Sequence, residues 1–117
     1  MENSINVGFN RVDMINVVSC AQDIKLTKDQ TLEIVGVHVY WATDHETGEL
    51  KKVGAIKISD GTIFGFTSST LIECAERIAD VLSEDDVNAV CVKTICRTSN
   101  QKRDFYQFTV VDIIENK

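Results

Sequence analysis

Cysteines and histidines are the residues with which this chain could most readily do metal or nucleophilic chemistry. The four cysteines are Cys20, Cys74, Cys91 and Cys96. Cys91 and Cys96 are five residues apart on a predicted strand, so they point to opposite faces and cannot chelate one metal ion together. No Cys-x-x-Cys pair occurs, and neither histidine has the spacing of a zinc ligand. The thiols are therefore expected to be structural, and no metal site is predicted.

Carboxylates and glycines give no further catalytic pattern. The acidic run Glu84-Asp85-Asp86 lacks the alternating ligands and the glycine bend of a calcium loop, and it is typical of a solvated helix exit. The glycines form neither of the usual phosphate-binding motifs. Because no nucleophile, general base or cofactor cradle can be assembled from spacing, the sequence predicts a protein that is not an enzyme and uses no cofactor.

Aromatic and basic side chains are concentrated on the predicted strands. Rings that stack on bases, together with cations that contact phosphates, are typical of proteins that bind single-stranded nucleic acid. The candidate stacking residues are Tyr40, Trp41, Phe64, Phe66 and Tyr106. The candidate phosphate contacts are Lys51, Lys52, Lys57, Arg97, Lys102 and Arg103. The alternative interpretation is structural, since most strand aromatics are core and lysine often protects a sheet edge.

Alternation along each strand indicates which rings share a face. Phe64 and Phe66 lie on one side of their strand, whereas Phe105 and Tyr106 lie on opposite sides of theirs. Trp41 lies on the same side of its strand as the apolar valines that precede it, which would suit a core position, and Tyr40 lies on the other side. Either ring of the Tyr40-Trp41 pair could be the exposed one.

The period of the apolar pattern predicts the elements that must position these residues. Period-two alternation predicts five strands, over residues 31–42, 50–59, 62–67, 87–97 and 104–114. Asp60-Gly61 predicts the turn between the second and third strands. Apolar residues at helical spacing predict a helix over residues 70–82, with Thr70 and Glu73 spaced as a capping box.

The N-terminal part of the chain is less strongly patterned. Residues 14–21 fit either a strand or a short helix, and residues 1–13 are predicted to be a flexible segment. Residues 14–117 are expected to form a single domain, which is large enough for its own core.

The predicted order is three strands, one helix and two strands. This is the order of the oligonucleotide/oligosaccharide-binding fold (OB fold), a five-stranded Greek-key barrel with its helix between strands three and four. The chain is therefore expected to be mainly β and to form such a barrel. An open α+β sheet with the helix on one face has the same order.

The net charge of −6 argues mildly against a nucleic-acid partner, but the charges are unevenly distributed. Residues 1–50 carry 8 acidic and 3 basic side chains, and residues 69–90 carry 6 and 1. Residues 51–68 carry 3 basic and 1 acidic side chain, and residues 91–117 carry 5 and 3. The helix region is thus acidic, while the later strand pairs are basic.

Targeting signals are not evident in the sequence. No apolar run approaches the ~20 residues that cross a membrane, and the N-terminus lacks the pattern of a secretory signal. The expected location is the cytoplasm, where the cysteines would stay reduced.

Four stretches of the sequence form an ordered set of motifs. The most specific is Ile58-Ser59-Asp60-Gly61-Thr62-Ile63-Phe64, followed by a serine and an amphipathic helix. The others are residues 17–22, residues 29–34, and residues 90–106 with their strand, Ser/Lys-rich turn and aromatic pair. Together these stretches resemble the small single-stranded-DNA-binding proteins of tailed bacteriophages of Gram-positive hosts. The resemblance covers about residues 15–112, and the chain departs from it in its acidic net charge.

The resemblance implies an OB-type barrel that coats and protects single-stranded DNA during replication or recombination. It places Trp41 and Phe64 where the family has tyrosines available to stack on bases, and Lys102 and Arg103 in its basic hairpin. If the chain is phage-encoded, the expected location is the cytoplasm of the host cell.

The expected function is therefore non-sequence-specific binding of single-stranded DNA without catalysis. Expected partners are single-stranded DNA, replication or recombination proteins and further copies of the chain, with no membrane. The alternative is a non-catalytic protein-interaction module, or an acidic regulator or inhibitor, on the same barrel. Acids of residues 69–90 along the barrel groove would favour that alternative.

Overall fold

The computed structural model describes residues 4–19, 21–98 and 100–115. Its seven strands are β1 (Ile5–Val7), β2 (Gln22–Asp23), β3 (Thr31–Thr43), β4 (Leu50–Ile58), β5 (Ile63–Phe66), β6 (Val87–Thr98) and β7 (Asp104–Glu115). Its two α-helices are α1 (Arg11–Ser19) and α2 (Ser69–Leu82), and a 3₁₀ turn spans Ile24–Thr27.

A Greek key forms the centre of the sheet. β3, β4 and β5 follow one another as antiparallel neighbours, and β6 returns after α2 to pair with β3. The resulting order β6-β3-β4-β5 is that of a Greek key, and β7 extends it by pairing with β6. Two short strands complete the sheet, since β1 pairs antiparallel with β3 and β2 pairs parallel with β5.

The prediction of a mainly β chain is confirmed, and all five predicted strands are present as β3 to β7. The predicted total of five strands is wrong, because β1 and β2 have only 3 and 2 residues and are too short to show alternation. The prediction of a single helix is also wrong, since residues 14–19 belong to α1. The described part of the segment predicted to be flexible contains β1 and the first turn of α1.

Helix α1 begins at a capping box that the sequence pattern did not reveal. The backbone N–H of Asp13 donates to Asn10 Oδ1 at 2.9 Å, and the backbone N–H of Asn10 donates to Asp13 Oδ2 at 3.0 Å. This reciprocal pair satisfies amides that the first turn leaves without partners. The capping box predicted for α2 is wrong, because α2 starts at Ser69 and Thr70 therefore lies inside the helix.

The core lies between α2 and the sheet. One face of α2 is buried, and it contacts β3, β4, β6 and β7. Its buried residues are Leu71, Ile72, Ala75, Ile78, Ala79 and Leu82. The strands contribute fully buried side chains such as Ile34, Val37, Ile56 and Val92, so the apolar stripe and the alternating strands predicted from the sequence meet in one core.

Gly54 on β4 is required by the packing of Phe66 on β5. A Cβ atom at residue 54 would lie 2.3 Å from Cε2 of the Phe66 ring, whereas a Cβ at Gly65 would come no closer than 3.4 Å to Ala21. The first distance is a clash with a core ring, and the second is close to ordinary contact.

Replacing Gly54 with alanine is expected to destabilise the fold by about 1–3 kcal/mol, because the Phe66 ring must leave its packed position. Urea unfolding followed by circular dichroism measures the change. Gly65→Ala is the matched control, for which we expect a much smaller effect. Equal midpoints for Gly54→Ala and the unmodified protein would contradict the packing described here.

Candidate nucleic-acid interface

A groove lies where the two ends of the curled sheet approach each other. Residues of β2 and β5 at one end and of β7 at the other line a cavity of about 850 Å³. Strand β4 and the start of α2 also line the groove. The groove is therefore the place at which the strands fail to close into a complete barrel.

Three half-buried aromatic side chains line this groove. They are Tyr40 at the end of β3, and Phe105 and Tyr106 at the beginning of β7. Phe66 also lines it, but its ring is only 7% exposed and makes an edge-to-face contact with Phe108 at 5.8 Å between centroids. Rings that are half-exposed beside an open cleft can accept a flat apolar group such as a nucleobase.

Tyr40 is held in the groove wall by a stack of rings. The rings of His38 and Tyr40 are 4.8 Å apart at 17°, and Phe9 contacts the His38 ring at 5.6 Å. His38 Nδ1 lies 2.9 Å from the carbonyl oxygen of Ile5, which ties the stack to β1. Burial lowers the pKa of His38 and raises the pKa of Tyr40, so both side chains stay uncharged at neutral pH.

Phe64 and Phe66 belong to the core. Each is 7% exposed and packs in the main hydrophobic cluster, so neither ring can stack on a base in this conformation. Alternation correctly predicted that the two rings share a face, but that face is the buried one. Among the candidate stacking residues, Tyr40 and Tyr106 are the two that the structure brings together as half-exposed rings of the groove.

Trp41 lies away from the groove, near helix α2. Its ring is half-buried, and the ammonium nitrogen of Lys52 is 6.0 Å from the ring centroid. Its Nε1 atom is buried and has no hydrogen-bond partner among the residues that the structure describes. Tyr40 and Trp41 are thus both half-buried, and Tyr40 is the one of the two that lines the groove.

The three candidate lysines of β4 are each paired with an acid. Lys51 Nζ is 2.6 Å from Asp44, Lys52 Nζ is 3.0 Å from Glu76, and Lys57 Nζ is 2.7 Å from Asp13. The acids come from the β3–β4 loop, from α2 and from α1. None of these lysines lines the groove, so the structure does not join them to the aromatic residues.

The basic residues of the β6–β7 hairpin lie close to the aromatic pair. Arg97 is the cross-strand partner of Phe105, and Lys102 and Arg103 precede Asp104, the first residue of β7. All three basic side chains are exposed. Lys102 has a φ of 61°, which sets the tight turn of the hairpin. We call Arg97, Lys102 and Arg103 the basic tip.

The charged residues that line the groove itself are Asp23 and Asp104. Among its lining residues in the described chain there is no lysine or arginine, and no acid of residues 69–90. Those acids instead lie on α2 and in the turn that follows it, where Glu76 pairs with Lys52. The two charged residues that line the groove are thus both acidic, and the basic tip lies beside one end of the groove.

Sequence reasoning missed Phe105 as a groove residue. Strict alternation placed it on the side of the strand opposite Tyr106, yet both line the same groove. β7 is the last strand of the sheet, and an edge strand that begins beside an open cleft can expose both of its sides to it. The adjacent Phe105-Tyr106 pair next to two basic residues was the available signal.

Of the cysteines, Cys74, Cys91 and Cys96 are free thiols, and Cys20 lies outside the described residues. In that part of the chain, no three His, Cys, Asp or Glu side chains lie together as a metal site would require. None of the described helices has the length and apolar character needed to span a bilayer.

No family model, curated protein or solved structure matches this chain.

Asp13 gives a pH-dependent test of the ion pairs. Its pKa lies below the ordinary value of 3.8 because Lys57 donates a hydrogen bond to it, with a second from the backbone of Asn10. A carboxyl with a lowered pKa stabilises the fold above pH 3.8 and loses that contribution as the pH falls through its folded-state pKa.

Asp13→Asn is expected to cost about 1 kcal/mol at neutral pH and to converge with the unmodified protein below the lowered pKa of Asp13. Chemical denaturation at several pH values measures the difference. Asp44→Asn is the control, and we expect it to cost less because its partner Lys51 has a side chain that is 57% exposed. A cost for Asp13→Asn that is independent of pH would contradict the assignment.

Proposed function

We propose that this chain binds single-stranded DNA without sequence preference and without catalysis, in the groove between β5 and β7. The observation that carries the proposal is the arrangement of Tyr40, Phe105 and Tyr106 around the groove beside the basic tip. Stacking on such rings contributes about 1–3 kcal/mol per base and tolerates any base, while cations follow the phosphates.

We further propose that the domain is an OB-type barrel left open between its third and fifth long strands. The Greek-key order of β3 to β6, with α2 between β5 and β6, supports this assignment. OB folds bind oligonucleotides on the face of their second and third strands and with the loop between the fourth and fifth. The counterparts here are β4 and β5, which line the groove, and the β6–β7 turn, which directly precedes the groove residue Asp104.

In this proposal the rings of Tyr40, Phe105 and Tyr106 stack on bases, and the basic tip contacts phosphates. The β4 lysines contribute only if they exchange their carboxylate partners for phosphates. A single domain would cover on the order of 4–16 nucleotides. The resemblance to phage proteins supports a role in coating single-stranded DNA during replication or recombination, in the cytoplasm of a host cell.

A second candidate function is a non-catalytic protein-interaction module, or an acidic regulator or inhibitor, on the same barrel. The presence of Asp23 and Asp104 as the charged groove residues favours it, as does the pairing of the three β4 lysines with acids. An acidic groove repels phosphates and accepts a basic or neutral protein segment.

The two candidates are separated by titrating labelled oligo-dT with the protein and following anisotropy at several salt concentrations. Single-stranded DNA binding predicts an affinity that falls as salt rises. Reversing one charge of the exposed tip at a time, with Arg97→Glu or with Lys102→Glu, is expected to weaken binding and to flatten the salt dependence. The log–log slope is expected to fall by about 0.7 for each phosphate that the variant no longer neutralises.

The matched control is Arg77→Glu, which makes the same charge change at an exposed position on α2. Tyr106→Leu tests stacking, because it keeps an apolar side chain while removing the ring. We expect it to cost about 1–3 kcal/mol of binding free energy. A protein that leaves oligo-dT anisotropy unchanged at low salt overturns the proposal and favours the second candidate. If Arg77→Glu weakens binding as much as the tip variants do, the binding depends on the overall charge of the protein and not on contacts made by the basic tip.

A further inference from the structure

The C-terminal half of β7 is an open sheet edge. β7 is the last strand in the sheet order and pairs only with β6 within the described chain. Its first residues line the groove, but residues 107–115 lie beyond the groove lining. The outward-facing backbone N–H and C=O groups of such an edge are a template on which another extended segment can pair.

Apolar side chains are exposed along this edge. Val110, Val111 and Ile113 are 51%, 54% and 38% exposed. Val110 and Ile113 are the cross-strand partners of Val92 and Val90, which are fully buried. Because cross-strand partners share a face, Val110 and Ile113 lie on the core side of the sheet. They are exposed because the core does not extend under this edge.

Most charged residues around this edge are acidic, and the exception is the exposed Lys93 on β6, the cross-strand partner of Thr109. Asp112 and Glu115 lie on β7, and Val87, the partner of Glu115, follows the exposed acids Glu84, Asp85 and Asp86. Residues 83–92 and 110–115 contain no lysine or arginine. On the outer face Asp112 is paired with Cys91, which in turn is paired with Glu33. Burial and these two acids raise the pKa of the Cys91 thiol.

A second copy of the chain fits this edge poorly. Antiparallel pairing of two such edges would bring the acids of both copies together, and like charges across an interface oppose binding. Charge complementarity instead favours a short basic segment.

We propose that the edge of β7 over residues 110–115 binds an extended segment of a partner protein in which apolar residues alternate with lysine or arginine. The segment adds a strand to the sheet, so main-chain hydrogen bonds give affinity and alternate side chains give specificity. Its apolar side chains cover Val110 and Ile113 on the core side. Its basic side chains face Asp112 on the outer side. This surface is separate from the groove and does not depend on what the groove binds.

The test is a titration of isotope-labelled protein with a short capped peptide that alternates valine and lysine, followed by NMR. We expect shifts and slowed amide exchange confined to β7 beyond residue 107 and to its β6 neighbours. The same peptide with glutamate in place of lysine is expected to bind at least about tenfold more weakly. Shifts centred on the groove, no shifts at millimolar peptide, or equal binding of the two peptides overturns the proposal.

Two variants make the assignment specific. Val110→Lys with Ile113→Lys is expected to weaken binding of the lysine peptide at least about tenfold. The matched control, Val12→Lys with Leu50→Lys, changes two other exposed apolar residues and is expected to have no effect. If the first variant fails to fold, Asp112→Lys replaces it and is expected to shift preference toward the glutamate peptide. An unmodified protein that dimerises at micromolar concentration, and becomes monomeric on Val110→Lys, identifies a second copy as the occupant and overturns the proposal.

Discussion

The division of β3 between two neighbours is the constraint on which the rest of the structure depends. Along one edge β3 pairs with β4 over most of its length, while along the other it pairs first with β6 and then with β1. The change follows an irregularity between Ile34 and Gly36, and such irregularities bend a strand and increase its twist. The sheet that contains this bent strand is curled. Because it is curled, its two ends, β2 with β5 and β7, approach each other and leave the groove between them.

The lysines of β4 have acidic partners that the local sequence does not reveal. Three basic residues on one strand are a fair signal for phosphate contacts when only neighbouring residues are considered. Their acidic partners are 44 residues away for Lys57 and 24 for Lys52, on helices that reach β4 only in the folded chain. A partnered lysine must leave its carboxylate before it contacts a phosphate, so the pairing diminishes its contribution to affinity.

The long elements of this fold could be predicted from the sequence, and the details at their ends could not. Strands β3 to β7 and helix α2 are long enough for their apolar period to appear, whereas β1 and β2 owe their existence to pairing with β3 and β5. Alternation predicted that Phe64 and Phe66 share a face, but it cannot say which face meets the core. Of the residues in and beside the groove, the sequence had indicated Tyr40, Tyr106 and the basic tip as candidates. Phe105 was missed because it lines the groove together with its neighbour Tyr106.

The β6–β7 hairpin has opposite charges at its two ends. Its turn carries Arg97, Lys102 and Arg103, while its other end carries Asp112 and Glu115 beside the acidic turn after α2. Charges separated along a rigid pair of strands give the molecule an electric dipole, and an external field exerts a torque on a dipole. A polyanion would therefore orient the molecule before contact so that the hairpin turn faces it. A polycation would orient the molecule so that the opposite end of the hairpin faces it. The acidic net charge of the chain opposes its approach to a polyanion and favours its approach to a polycation, while the hairpin biases which end of the molecule faces the partner.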